Sequence, residues 1–196
     1  MRLTLVTPAG AEVVTLEEAK LHMRVDTDDE DALISGLIRT ATMKLDGRHG
    51  RLGRCLIAQQ YRLSLSSFLD EIALPLPPVR SVDRIDYVDP AGMPRTLDTD
   101  AYRVAGLGDE DGASVRRLRD SAWPYTAGGP DGVQITFSTG YGMSREDVPD
   151  PIRQAIRMHV AHLYDNRDAV ASGNGPSQIV PLGYDDLISD YVAWAC

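Results

Sequence analysis

Cysteine is scarce in this chain: Cys55 and Cys196 are the only two, which makes no disulfide framework and has no metal-ligand spacing, so both read as free thiols. Long apolar runs are missing as well. No stretch approaches the roughly 20 residues that a membrane-spanning helix needs, and Met1 to Gly10 lacks a signal-peptide pattern, which predicts a protein made in a cytoplasm with no membrane partner. Basic charge is in deficit, with 20 Lys and Arg against 29 Asp and Glu. The resulting net charge of −9 argues against broad, sequence-independent duplex binding, because that affinity comes from neutralising phosphates. Absent too are a G-x-S-x-G elbow, a phosphate loop ending in G-K-[ST], and a G-x-G-x-x-G between strand and helix. No catalytic triad or nucleotide site can be assembled, and pairs such as Asp83 and Asp86 read as solvent-facing.

What remains is a composition of ordinary globular type, 43% hydrophobic and 25% charged over 196 residues, enough for one substantial domain. The pattern changes from helical to strand-like period near Cys55 and back near Gly142. That predicts an α+β fold: a helical bundle formed by N- and C-terminal helices, with an inserted antiparallel β region. The expected parts are a helical segment over 1–55, a β insertion over 56–142, a bundle helix over 143–171, and a linker and arm over 172–196.

Two capping boxes announce the first helices. Thr15 and Glu18 open one that ends near Arg24, and Thr27 to Glu30 opens a second, its acidic run Asp26 to Asp31 suiting the positive end of the helix dipole. That run lacks the glycine and distal glutamate of a calcium loop. Leu33, Ile34, Leu37, Ile38, Ala41 and Leu45 form the buried stripe, and Gly47 and Gly50 stop it. Within the β region, Gln59 to Phe68 alternates as a half-buried strand, and Leu74 to Val79 is an extended crossing or sheet edge because of its prolines. Val82 to Val88 and Thr96-Leu97 flank the turn Asp89-Pro90-Ala91-Gly92 as a hairpin. Tyr102 to Val104, Ser114 to Leu118 and Val133 to Phe137 are further strands.

Asp150 as N-cap and Pro151 at the first helical position start a helix expected to reach Ala171. Its stripe is Ile152, Ala155, Ile156, His159, Val160 and Leu163, with His162 at the margin. The spacing of His159 and His162 is three, whereas a zincin-type site needs histidines four apart with a glutamate beside the first, so packing is the reading and no metal or cofactor is expected. Local basic clusters stand at Lys44, Arg48, Arg51 and Arg54 and at Arg116, Arg117 and Arg119; both read as surface charge or subunit contacts. The rival reading is a small metal-dependent or nucleic-acid-processing enzyme using His159 and His162 with the basic loop.

In order, VTLEEAKLHMRVDTDDEDALISGLIRTAT, the basic GRHGRLG turn, LPLPPVRSVDRIDYVD, VQITFSTGYG and VPDPIRQAIRMHVAHLYDNRDAV resemble the gp6-like head-tail connector family of tailed bacteriophages, also met in prophages and gene transfer particles. The resemblance implies a non-enzymatic adaptor, or head completion protein, that forms a dodecameric ring below the portal and carries the next tail or stopper protein. Packaged DNA would pass through its channel without sequence-specific binding. The particle neck is the implied location, with assembly in the bacterial cytoplasm. Arg153, Arg157, Tyr164 and Arg167 are the residues expected at a neighbouring subunit; where the family usually has a glutamate near that arginine, this chain has Asp165 or Asp168. For the C-terminal arm, Leu187, Ile188, Tyr191 and Trp194 are the anchors expected to dock on the portal, against the alternative that this helix packs on its own bundle.

Overall fold

The computed structural model describes residues 1–119, 121–167 and 182–193. Among these residues the fold is α+β, with four α-helices and two antiparallel sheets. Strands β1 (Arg2–Thr7), β2 (Gln59–Leu65), β4 (Val79–Val88), β5 (Pro94–Thr96) and β8 (Val133–Thr139) form a five-stranded sheet in the order β1-β2-β8-β4-β5. The smaller sheet has β3 (Glu71–Leu74), β7 (Ala113–Arg117) and β6 (Tyr102–Ala105) in the order β3-β7-β6.

Strand alternation decides which side chains meet between the sheets. Tyr61, Leu63 and Leu65 of β2 stand opposite Phe137, Ile135 and Val133 of β8, which in turn face Val82, Ile85 and Tyr87 of β4. In the small sheet Ile72, Val115 and Val104 lie in one row across three strands. These rows and their neighbours close one hydrophobic core.

A second core belongs to the helices α1 (Leu16–Met23), α2 (Asp31–Met43), α3 (Asp150–Asp165) and α4 (Leu182–Ser189). Both reciprocal bonds of the predicted box at Thr15 and Glu18 form, at 2.9 and 3.2 Å, and Arg24 ends α1 in a left-handed conformation. The predicted box at Thr27 to Glu30 does not form: α2 starts at Asp31, and Glu30 precedes it without a side-chain cap bond. Its carboxylates have tertiary partners instead, Asp28 on Lys20 of α1, joined there by Asp31, and Glu30 on Tyr164 of α3 and on Arg167 just past that helix. Of the expected α2 stripe, Ile34, Ile38, Ala41 and Leu45 are buried, while Leu33 is 40% exposed.

Asp150 is already the first residue of α3, Pro149 holds the cap position, and the helix stops at Asp165, short of the expected Ala171. At its end the Asn166 amide makes the last helical bond, to the His162 carbonyl, and the Asn166 side-chain NH2 donates to the same oxygen. Gly183 lies inside α4, so the helix begins within the segment expected to be linker. Residue 1–55 is not helical throughout either, because β1 pairs with β2 from Arg2 to Thr7. The segment 44–58 joins the two cores. Gly50 is obligatory in it, since a Cβ there would sit 2.4 Å from the Leu45 and Asp46 carbonyl oxygens.

Candidate functional site

Between the cores lies a polar seam. Asp46 accepts the Leu56 amide at 2.7 Å and the Gln59 amide side chain at 2.8 Å, while the Tyr61 hydroxyl donates to Gln59 at 3.3 Å. Burial outweighs these bonds and pushes the Asp46 carboxyl above its ordinary range. Nearby, Arg54 is 2% exposed and gives one NH to the Tyr141 hydroxyl at 3.1 Å. Cys55 is fully buried, and desolvation raises its thiol to about 12, so it has no thiolate to offer at neutral pH. The seam ties two layers together; it contains no nucleophile–base pair.

The histidines of α3 do not converge on anything that binds a metal. His159 is half-buried, its ring edge-on to Tyr184 of α4 at 5.4 Å, with Nδ1 3.4 Å from the tyrosine hydroxyl. Desolvation, then His162 and Lys44, lowers its pKa and keeps it neutral. His162 instead faces Asn166 on its own helix. Among the described residues no three His, Cys, Asp or Glu side chains are grouped as a metal would require. The rival reading built on His159 and His162 gains no support from this arrangement: the His159 ring packs on Tyr184, and the His162 ring lies beside the Asn166 side chain.

The four residues expected on the neighbour-facing flank of α3 have partners within the chain. Arg153 pairs with Asp150 and lies 3.9 Å from Glu18 of α1. Arg157 donates to Gln154 at 3.0 and 3.2 Å. Arg167 grips Glu30 with two bonds, 2.6 and 2.9 Å, and the Tyr164 hydroxyl donates to the same carboxylate. The Arg167 guanidinium and the Tyr164 hydroxyl hold Glu30 down at about 2. Thus the carboxylate serving Arg167 comes from the approach to α2 and not from Asp165, and Asp168 lies outside the described residues. Sequence spacing could not show this, because Glu30 and Arg167 are 137 positions apart.

The arm residues divide. Ile188 is fully buried in the helical core and Tyr184 nearly so, whereas Leu187 and Tyr191 are half-buried against it; Trp194 lies outside the described residues. The Ala193 amide donates to the Leu52 carbonyl at 2.8 Å, and Arg51 of the basic loop pairs with Asp185. Ile188, named as a portal anchor, thus has its side chain in the helical core of its own chain, the packing named as the alternative. Of the basic clusters, Arg51 and Arg54 are engaged as described, and Arg116 pairs with Glu71 at 2.5 Å. One member was missed. Arg103 of β6 stands directly opposite Arg116 in the sheet and joins Arg117 and Arg119 around a concave surface of about 540 Å³.

No curated protein matches the chain in sequence. Its fold is found in solved particles: a chain in the neck of an empty GTA particle computed with C6 symmetry shares 25% identity at a TM-score of 0.77, covering 100% of this chain and 97% of that one. A chain in the virion of a native gene transfer agent (GTA) particle gives 25% and 0.75 over the same shares. The neck of the native GTA particle computed with C12 symmetry holds a chain of the same fold at 24% identity and a TM-score of 0.75. Residues 13–75, which carry α1, α2, the basic turn, β2 and β3, match the family described as phage gp6-like head-tail connector protein.

Proposed function

We propose that this protein is a structural head-tail connector, a non-enzymatic component that forms a homo-oligomeric ring in the neck of a phage or gene-transfer particle and joins the DNA-filled head to the tail. The observation that carries this is end-to-end likeness to GTA neck and virion chains, 100% of this chain on 97% of those. The match of residues 13–75 to the connector family supports it from sequence.

In finer terms, the ring is a dodecamer whose common helical bundle is built by α1 to α4, with the portal protein on one side and the next tail or stopper protein on the other, assembled in the bacterial cytoplasm. The half-exposed sides of Leu187 and Tyr191 are the part of α4 offered to the portal, and Arg153, Arg157, Tyr164 and Arg167, besides their bonds within the chain, are the residues offered to a neighbour. Acid excess suits a channel through which packaged duplex slides, since phosphate binding would retain it. Electron microscopy of the particle tests the reading: density for this chain as a collar between portal and tail is the expected result. Its absence from the neck, or a channel lined mainly by Lys and Arg, would overturn the corresponding statement.

A further inference from the structure

The small sheet is electrically polar along its strands. At one end Arg103, Arg116, Arg117 and Arg119 surround the concave surface of about 540 Å³, with Asp70 on its rim. Arg103 and Arg116 are direct cross-strand neighbours, an arrangement of like charges that disfavours the sheet unless something negative lies over it. Within the described residues only two carboxylates reach this group: Glu71 pairs with Arg116, and the 96%-exposed Asp70 is 3.7 Å from Arg117. The Arg116 Nε is buried without a hydrogen-bond partner.

At the other end, the turn between β6 and β7 carries Asp109, Glu110 and Asp111, all exposed and none in an ion pair among the described residues. Gly106 and Gly108 hold this turn in left-handed backbone, with φ of 75° and 80°. Among the described residues acid and base on this hairpin do not neutralise each other in an ion pair, although Asp111 and Arg116 border one cavity. They can do so between copies, because a head-to-tail contact places a different patch of each subunit against its neighbour and closes into a ring when the rotation allows.

We infer that the Asp109 to Asp111 turn of one copy seats in the arginine groove of the next, forming a polar contact of the ring; this rests on the connector reading above. Guanidinium forks match carboxylates in a two-bond geometry, and such pairs fix register and exclude wrong partners. A duplex phosphate backbone is the competing occupant. It is disfavoured by the chain's net charge of −9 and by the presence of a matching acidic turn on the same hairpin.

Charge exchange in assembled particles tests the contact. Full-length Arg103→Glu/Arg119→Glu, confirmed as folded by circular dichroism, should enter particles about tenfold less than the parent chain, since juxtaposed like charges are strongly unfavourable. Adding Asp109→Arg/Glu110→Arg to the same chain should restore entry to within about threefold, because every copy then carries the inverted pair. Unchanged entry of the first variant, or loss without rescue by the second, overturns the contact. DNA binding by the parent chain that the first variant loses and the second does not regain would assign the groove to phosphate instead. If the parent chain is itself absent from particle necks, the connector reading fails first, and that outcome is separately visible.

Discussion

The helical layer and the β part bury comparable sets of side chains by different means. In the β part, contact follows from register: Tyr61, Phe137 and Val82 meet because three strands keep step, with the Tyr61 and Phe137 rings stacked at 6.4 Å. In the helical layer contact follows from docking, and polar ties such as Glu30 to Arg167 and Lys20 to Asp28 and Asp31 set where one helix meets the next. A sheet thus carries its own alignment in backbone bonds, whereas helices need side chains to supply it.

Phe137→Ala gives the largest expected effect: about 3–5 kcal/mol lost in denaturant unfolding, for a fully buried aromatic in the sheet core. Hydrogen exchange on the same variant sharpens the comparison. Equal loss of protection in α3 and in β8 would show that the seam couples the two cores into one unit, and loss confined to the strands that it does not.

Ile188→Ala should cost about 2–5 kcal/mol and selectively expose the α4 amides. Unaltered stability would mean that this helix is held by a partner and not by its own core.

At the seam, Asp46→Ala leaves the Leu56 amide and the Gln59 side chain without an acceptor, at about 1–3 kcal/mol. Its pH dependence has a definite sign. Because the folded Asp46 carboxyl is raised, the parent chain's advantage is full below the ordinary aspartate range and shrinks as pH rises through the folded value. A difference that grew with pH in that range would contradict the burial of this group.

Glu30→Gln is the mildest change, with a fall in melting temperature of about 2 °C at neutral pH for an exposed ion pair. Here the folded carboxyl is depressed to about 2, so the advantage is present above the ordinary glutamate range, near 4.5, and vanishes as pH falls toward 2. Across pH 2 to 7 the gap in melting temperature from the parent should therefore shrink with rising pH for Asp46→Ala and widen with rising pH for Glu30→Gln.

Several elements were legible in the sequence because their causes are local. The box at Thr15, the alternation from Gln59 to Leu65 and the stripe of Ile152, Ile156 and Val160 each depend on neighbours within a few residues. The strand at Arg2–Thr7 was missed for a physical reason: it is an edge strand with five of its six residues exposed, so it has little apolar alternation to read. The end of α3 was misplaced because Asn166 leaves helical backbone at φ −116° and ψ 67°, a departure the apolar stripe does not encode.

By itself the sequence determined the α+β class, the alternation of helical, strand-rich and helical segments, and the motif order that resembles the connector family. Tertiary structure alone decided that Glu30 answers Arg167, that Ile188 is enclosed by its own helices, and that Arg103 joins Arg116 opposite it. Propensity and periodicity act over one or two turns of chain, but a charge or a core position is completed by whatever the fold brings within a few ångströms, however distant in the chain.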